Sequence, residues 1–199
     1  SKRPFLLGRS LSTNNLRQQV LKDLYDQNLS IYSSNLEFDC CYEDLTRIKK
    51  ILLKNNCDSI IAAGGGKVLD AGKFLADSLS IPVITVPLSA STCAGWTALS
   101  NIYSTNGQFI NDTELKSCPK ILVLDHSFVE TAPKRTLSSG IADALAKWYE
   151  SSLTSSTVHD GLVQQAIQRS RVLRDQLLIE GESAYKSQTI KNISWCNAV

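Results

Sequence analysis

The sequence has no apolar run approaching the ~20 residues that cross a bilayer, so it offers no candidate membrane span. It has little net charge. The balance is only +2, from 21 Lys and Arg against 19 Asp and Glu spread along the chain. That is too small and too dispersed to point to nucleic acid or an anionic membrane as partner. No apolar leader opens the chain, because Ser1-Lys2-Arg3-Pro4 runs directly into a short strand-like segment, and a cytoplasmic protein is expected. Metal-finger spacing is absent among the 6 cysteines, Cys40, Cys41, Cys57, Cys93, Cys118 and Cys196. The neighbours Cys40 and Cys41 are poorly placed to bridge each other, so reduced thiols are expected. There is no internal repeat, no low-complexity stretch and no methionine, even at position 1. The chain stops within Ile193-Ser194-Trp195-Cys196-Asn197-Ala198-Val199, in the middle of a helix-like segment, as a fragment of a longer protein would. What is present is ordinary for a globular protein: 199 residues, 43% apolar and 20% charged, enough for one domain with a good core or for one domain and part of another.

Gly64-Gly65-Gly66-Lys67 is the most informative feature. It follows the apolar run Ser59-Ile60-Ile61-Ala62-Ala63 and opens a segment, 68–79, that reads as helix. A strand, then glycines, then a helix start makes an anion site, because free backbone N–H groups and the positive helix end point at the same place. Glycines let a pyrophosphate approach the backbone and Lys67 adds positive charge. The pattern is neither G-x-G-x-x-G nor the Walker loop. A tight strand-to-helix turn that binds nothing is the competing reading of the glycines alone.

The remaining pattern supplies a frame. Segments 4–8, 29–32, 59–63 and 82–87 read as strands. Helices fall between them, one with Leu16, Val20 and Leu24 and a cap at Ser12 or Thr13, the next with Leu45, Ile48 and Leu52 behind Glu43 and Asp44. This alternation predicts an α/β fold, a parallel sheet with helices on both faces. Ligands on such sheets sit at the carboxyl ends of strands, where 64–67 and 88–97 both fall. Asn106-Gly107 between strand-like flanks predicts a hairpin, and 121–124 a further strand. After Pro133 the segments 137–153, 158–179 and 183–199 read as helix. A boundary near Lys134 therefore separates a domain over 1–134 from one over 135–199.

Three blocks carry a resemblance. They are Gly64-Gly65-Gly66-Lys67-Val68-Leu69-Asp70-Ala71-Gly72-Lys73; Val86-Pro87-Leu88-Ser89-Ala90-Ser91-Thr92-Cys93-Ala94 running on through Ala98-Leu99-Ser100-Asn101-Ile102-Tyr103; and Ala132-Pro133-Lys134-Arg135-Thr136-Leu137 with Gly140-Ile141-Ala142-Asp143-Ala144-Leu145. In order and spacing they resemble the glycerol dehydrogenase branch of the iron-containing (group III) alcohol dehydrogenase superfamily, whose fold dehydroquinate synthase shares. The resemblance implies a Rossmann-like dinucleotide domain followed by the start of an all-helical metal-binding domain, within a protein of roughly twice this length. By position it assigns Gly64, Gly65, Gly66, Lys67 and Val68 to the pyrophosphate, and Leu88, Ser89, Ser91 and Thr92 to the border of the nucleotide. Thr97, Leu99 and Tyr103 go to the nicotinamide side, Asp143 to a divalent metal (zinc or iron), and Cys93 to the position where glycerol dehydrogenases usually carry a substrate-binding aspartate. The implied cofactor is NAD or NADP and the implied substrate a small alcohol or polyol. Leu88 replaces a threonine common in that loop. Arg9, after the first strand, stands where an acidic residue often holds the adenine ribose, and tilts the expectation toward the 2′-phosphate of NADP.

Plainer roles compete for the same residues. Asp143 and Lys147 are spaced for a surface ion pair, Asp70 and Lys73 for a pair with each other. Tyr103 suits hairpin packing, Cys93 an inert small hydrophobe and Trp96 a cover for the cleft floor. His126 and His159 have no partners that make a catalytic base. The family's other metal ligands are usually two histidines beyond the equivalent of residue 199, and one carboxylate holds no catalytic metal. The isolated chain is expected to be inactive, and to self-associate through the apolar faces of its helical part. The runner-up enzyme is a sugar-phosphate cyclase of the dehydroquinate synthase type. Lys67 directly after the third glycine and the Ser91-Thr92-Cys93-Ala94 loop favour the dehydrogenase. A non-catalytic cofactor-binding module is the third reading.

Overall fold

A computed structural model of the chain describes residues 2–27, 29–155 and 160–187. Two compact units emerge by contact. One is Ser1–Leu88 with Ala94–Asp125, the other Ser89–Cys93 with His126–Val199.

The first unit holds β1 (Pro4–Gly8), α1 (Asn14–Tyr25), β2 (Tyr32–Asn35), α2 (Tyr42–Lys54), β3 (Ser59–Gly64), α3 (Gly66–Leu79), β4 (Val83–Pro87), the hairpin β5 (Leu99–Tyr103) and β6 (Phe109–Glu114), and β7 (Ile121–Leu122). Five strands form one sheet in the order β2-β1-β3-β4-β7, all neighbours parallel. The α/β fold expected from the alternation is thus the one observed. Strand order reverses between β1 and β3, so the carboxyl ends of these two strands flank the topological switch point, where such sheets bind ligands. Phe5 and Leu7 pack with Ile48 and Leu52 of α2 and Leu69 and Leu75 of α3 in one buried cluster. The alternate residues Leu6 and Gly8 face α1 instead. A period of two along β1 therefore puts helices on both faces.

Helix α2 forms where Leu45, Ile48 and Leu52 recur on one buried face behind two acidic residues in the first turn. Asp44 reaches back to accept the Phe38 N–H at 2.7 Å, tying the helix start to the chain before it. At α1 the expected cap differs. Thr13 stands at the N-cap, but its hydroxyl caps nothing; it donates to the Ser10 carbonyl and accepts from Arg17. The second strand is displaced from 29–32 to Tyr32–Asn35, because pairing with β1 starts at Tyr32 opposite Phe5. It lies at the sheet edge, mostly exposed, so its polarity gave no strand signal. Expected strand 121–124 shrinks to Ile121–Leu122. The Asn-Gly hairpin is present, with Gly107 at φ +79° and its N–H on the Ser104 carbonyl at 2.9 Å.

The second unit holds α4 (His126–Thr131), α5 (Lys134–Thr154) and α6 (Gly161–Ser187). The segments 158–179 and 183–199 join: α6 runs unbroken through 180–182. Gly181 is buried there, and the helix continues through it; a Cβ on it would meet Ile141 of α5 at 3.7 Å, an ordinary contact, so the glycine is neither a break nor a packing requirement. His159 and the continuation over 188–199 lie outside the described residues.

Cys40, Cys41, Cys57, Cys93 and Cys118 are free thiols. Burial, and then the Asp70 carboxylate, push the Cys40 thiol up to about 12. A raised thiol pKa keeps the unreactive neutral form. At about pH 8, an alkylating reagent followed by peptide mass mapping should mark exposed Cys118 in the native chain and reach Cys40 only after unfolding. Native labelling of Cys40 at a rate matching Cys118 would contradict this placement.

Candidate functional site

Strand β3 is buried along its whole length and delivers Gly64 to the carboxyl edge of the sheet. Gly64 pairs with Pro87 of β4, and its carbonyl accepts the Leu88 N–H at 3.1 Å. Leu88, assigned by resemblance to the nucleotide border, is itself buried. Helix α3 then starts with Gly65 at its N-cap, and no side chain caps it. Val68 folds back beneath the turn, so a Cβ on Gly64 would stand 2.8 Å from its side chain. Glycine at 64 is therefore demanded by packing.

Gly65 is different. Its backbone, φ −83° and ψ −178°, is one any residue adopts, and a Cβ there would meet nothing within 4 Å. Neither packing nor φ/ψ requires glycine at 65; its N-cap position favours glycine only modestly, and a ligand approaching the uncapped helix end adds a stronger reason. This open cradle fits a phosphate group.

Lys67 does not point into empty solvent. Its ammonium donates to the Asp39 carboxylate and lies 4.6 Å from the centroid of the Tyr103 ring. Asp39 is 2% exposed and also accepts from the Cys40 N–H at 2.7 Å. Arg9 approaches the same carboxylate at 3.7 Å, but its Nε and Nη2 both donate to the Phe38 carbonyl, at 3.0 and 2.6 Å. Lys67 and Tyr103 are thus brought together, around an acid that sequence reasoning missed. Asp39 lies far from Lys67 in sequence and no local pattern marks it. Burial chiefly, then the Asp70 and Asp39 carboxylates, raise the Tyr103 phenol, which keeps its proton.

Thr97 and Leu99 are placed by one buried lysine. Lys73 of α3 is 1% exposed. Its Nζ pairs with Asp70 Oδ1 at 3.0 Å and donates to Thr97 Oγ1 at 3.0 Å, the Thr97 carbonyl at 3.2 Å and the Leu99 carbonyl. The Ser100 hydroxyl donates to the Asp70 carbonyl at 3.0 Å, closing the link from the other side. Burial raises the Asp70 carboxyl, and Lys73 opposes that shift. Thr85 Oγ1 donates to the Gly95 carbonyl at 2.6 Å and anchors the approach to Trp96. The spacing of Asp70 and Lys73 thus reports a real pair, and the pair holds the neighbouring segment.

In the second unit, Ser89 and Ser91 share a hydrogen bond at 3.1 Å. Ala90 between them packs on Val129, Leu137 and Ile141. A Cβ on Gly140 of α5 would stand 1.8 Å from the Ala90 carbonyl oxygen. The glycine of Gly140-Ile141-Ala142-Asp143 therefore lets helix backbone meet loop backbone, and sets the loop that carries Ser89, Ser91, Thr92 and Cys93. Asp143 pairs with Lys147 at 3.3 Å, and Glu150 adds a second carboxylate at 3.5 Å. Burial lowers the Lys147 amine, but these carboxylates, and Cys93 behind them, outweigh it and the net shift is upward. A half-exposed pair at this spacing contributes about 0.3–0.5 kcal/mol. Among the described residues no three His, Cys, Asp or Glu side chains gather as a metal centre, so Asp143 supplies one carboxylate and the set does not by itself fit a metal. His126 belongs to no such group; its Nε2 is buried without a partner.

A doubly wound parallel sheet with a glycine turn at its switch point, joined in sequence to a helical unit, defines a protein of the open α/β class. Residues 1–126 match the family model of iron-containing alcohol dehydrogenase, and the chain belongs to that family, on its glycerol dehydrogenase-like branch. It is 42% identical over 146 residues to an uncharacterized oxidoreductase of Synechocystis sp., covering 73% of this chain and 38% of that protein. It is 35% identical over 185 residues to a glycerol dehydrogenase of Escherichia coli, covering 90% of this chain and 49% of that one. A probable glycerol dehydrogenase of Sinorhizobium meliloti superposes with a TM-score of 0.85 at 25% identity, over 99% of this chain and 57% of that chain. The chain thus spans 38–49% of the length of these two curated relatives.

Substitutions at two places check this geometry. Lys73→Met leaves a buried carboxylate without its cation and should cost about 3–5 kcal/mol in urea unfolding, with part of the loss recovered by adding Asp70→Asn. A cost under about 1 kcal/mol, the range of a surface pair, would show that the Asp70 charge is not confined as described. Gly140→Ala should destabilise the helical unit by about 1–3 kcal/mol through overpacking against Ala90, read as an earlier thermal transition. Wild-type stability in that variant would contradict the close backbone approach.

Proposed function

We propose that this chain is the nucleotide-binding part, with the beginning of the helical part, of an NAD(P)-dependent dehydrogenase acting on a small alcohol or polyol. One observation carries the reading: Gly65 has neither a steric nor a conformational need to be glycine, and stands uncapped at the start of α3 beside open space. A nicotinamide dinucleotide, when bound, supplies the hydride acceptor. This chain's residues do the positioning. Gly64, Gly65 and Gly66 and the positive end of α3 face the pyrophosphate, with Lys67 as the adjacent charge and Val68, whose N–H is held by the Gly65 carbonyl at 3.0 Å, packed beneath the turn. Asp39 and the Tyr103 ring hold Lys67 in one place, so the charge meets the phosphates without first being ordered. Leu88 backs the turn as a buried wall. Thr97, Leu99 and Tyr103 border the nicotinamide, and the first two are fixed through Lys73.

By family resemblance Ser89, Ser91 and Thr92 are assigned to the nucleotide and Cys93 to the substrate. Asp143 is offered as one donor to a divalent metal, zinc or iron. Its carboxylate would have to leave Lys147 to serve. The glycerol dehydrogenases among its relatives support the alcohol or polyol class. No helix among the described residues is long and apolar enough to cross a membrane.

The test is titration of the folded chain with NADH and NADPH, following energy transfer from tryptophan to the reduced nicotinamide. Gly65→Ala should stay folded with a loss of no more than about 1 kcal/mol, since nothing lies within 4 Å of the added methyl and only the N-cap preference changes, yet bind at least about tenfold more weakly, as expected for lost charge-assisted backbone bonds. Equal binding by wild type and Gly65→Ala, or no saturable binding by folded wild type, would sink the reading.

A further inference from the structure

The sheet has a second edge, which the function proposed above does not use. At the amino ends of β4 and β7 a cavity of about 310 Å³ opens between the C-terminal half of α3 and the loop 115–120, which joins β6 to β7. Parallel sheets carry their nucleotides at the opposite, carboxyl edge, where the glycine turn lies, so this cavity stands apart from that site. Its size is at the lower end of the roughly 300–1,000 Å³ of small-molecule pockets. The chain itself holds it open. On the loop side the Lys116 N–H donates to Asp77 Oδ1 at 3.0 Å, and the Lys120 N–H to the Val83 carbonyl at 2.9 Å. On the other side Ser80 ends α3 in the left-handed region at φ 54°, and the Ile81 N–H turns back to the Ala76 carbonyl at 3.0 Å.

The walls divide by chemistry. Buried Ala76 and Val83, with Ile81 and Pro82, make an apolar strip. Lys116 and Lys120 border it, both exposed. Neither ammonium has a carboxylate within ion-pair distance among the described residues. Asp77 lines the same cavity and tempers the charge, but its Oδ1 is given to the Lys116 N–H rather than to either ammonium. The Ala76 and Asp77 carbonyls at the end of α3 are taken by the Ile81 and Ser80 N–H groups, so they offer an incoming cation little. The two lysines are also held apart, because one is tied to the end of α3 and the other to the start of β4. Two separated cations beside an apolar strip match an anion whose charges sit at the ends of a short aliphatic chain.

We propose that this cavity binds a short-chain dicarboxylate, with Lys116 and Lys120 each taking one carboxylate and the aliphatic middle resting on Ala76, Ile81 and Val83. The site goes beyond the dinucleotide reading and does not depend on it. One exposed ammonium holds a single anion weakly. Two acting on one molecule reinforce each other, because the second contact is made within the complex, and the covered apolar strip adds to both. Lys73 forms part of the wall, so the occupant lies against the residue that holds Thr97 and Leu99. Cys118, exposed and free, lines the same cavity and reports on it.

The experiment follows alkylation of Cys118 in the folded full chain as succinate is added, with Cys57, which lies outside the cavity, as the internal control. The neutral diamide of succinate, inorganic phosphate and sodium chloride, at matched ionic strength, are the comparison solutes. Succinate should slow Cys118 alkylation saturably and leave Cys57 unchanged, and the comparison solutes should do neither. Lys116→Gln and Lys120→Gln, both at exposed positions, should each raise the half-saturating succinate concentration about three- to tenfold, as expected for one charge-assisted contact at an exposed site. Both variants should keep the wild-type thermal transition, so a change in protection is not a change in folding. If succinate gives Cys118 no saturable protection, if the diamide or phosphate protects equally, or if both folded variants keep the wild-type half-saturation, the proposal is overturned.

Discussion

The first unit depends on one buried ammonium. Lys73 sits inside α3 with its charge balanced by Asp70 one turn earlier and its remaining hydrogen-bonding capacity spent on Thr97 and Leu99. An ammonium has three donors and no acceptor, and in low dielectric each must be used. That requirement fixes two things at once. It sets the rotation of the helix that begins at the glycine turn, and it holds the segment entering the hairpin at a defined distance from that helix. A hydrophobic side chain at 73 would fill space but impose no such register. The cost of desolvating the pair is offset by the number of bonds it makes, and the result is a rigid link between two stretches assigned to one ligand.

Charge near the glycine turn is arranged on the same logic. Lys67 meets a buried carboxylate and an aromatic face, so it is ordered before any anion arrives. The turn then combines an uncapped helix end with a positioned cation, and Gly65 leaves the approach unobstructed. Asp39 lowers the net charge there, which tempers attraction for anions in general while keeping Lys67 in position.

In the helical unit, a small residue decides geometry. Gly140 admits the Ala90 carbonyl against the backbone of α5. Ser89, Ser91, Thr92 and Cys93 are therefore placed by a helix glycine far along the chain. Asp143, on the same helix, is occupied by Lys147 at a spacing that any exposed helix uses. Family membership gives that carboxylate its interest; its surroundings alone do not.

Much of this was legible in the sequence for a definite reason. Strands β1, β3 and β4 are buried on both faces and read as continuous apolar runs, while α2 carries a clear apolar stripe, so local pattern and tertiary environment agree. The edge strand β2 differs from its expected place because an exposed polar edge has no pattern to read, and α6 is one helix rather than two because it runs straight through Gly181, a residue type that more often ends a helix. The alternation of strands and helices, the glycine turn at a strand end and the three motif blocks were determined by the sequence alone, since each is a matter of residue type at short spacing. The roles of Asp39, Lys73 and Gly140 were decided only in three dimensions. Each depends on a partner from another element, and on the low dielectric that makes an unpaired buried charge or a sub-van der Waals contact too costly to keep.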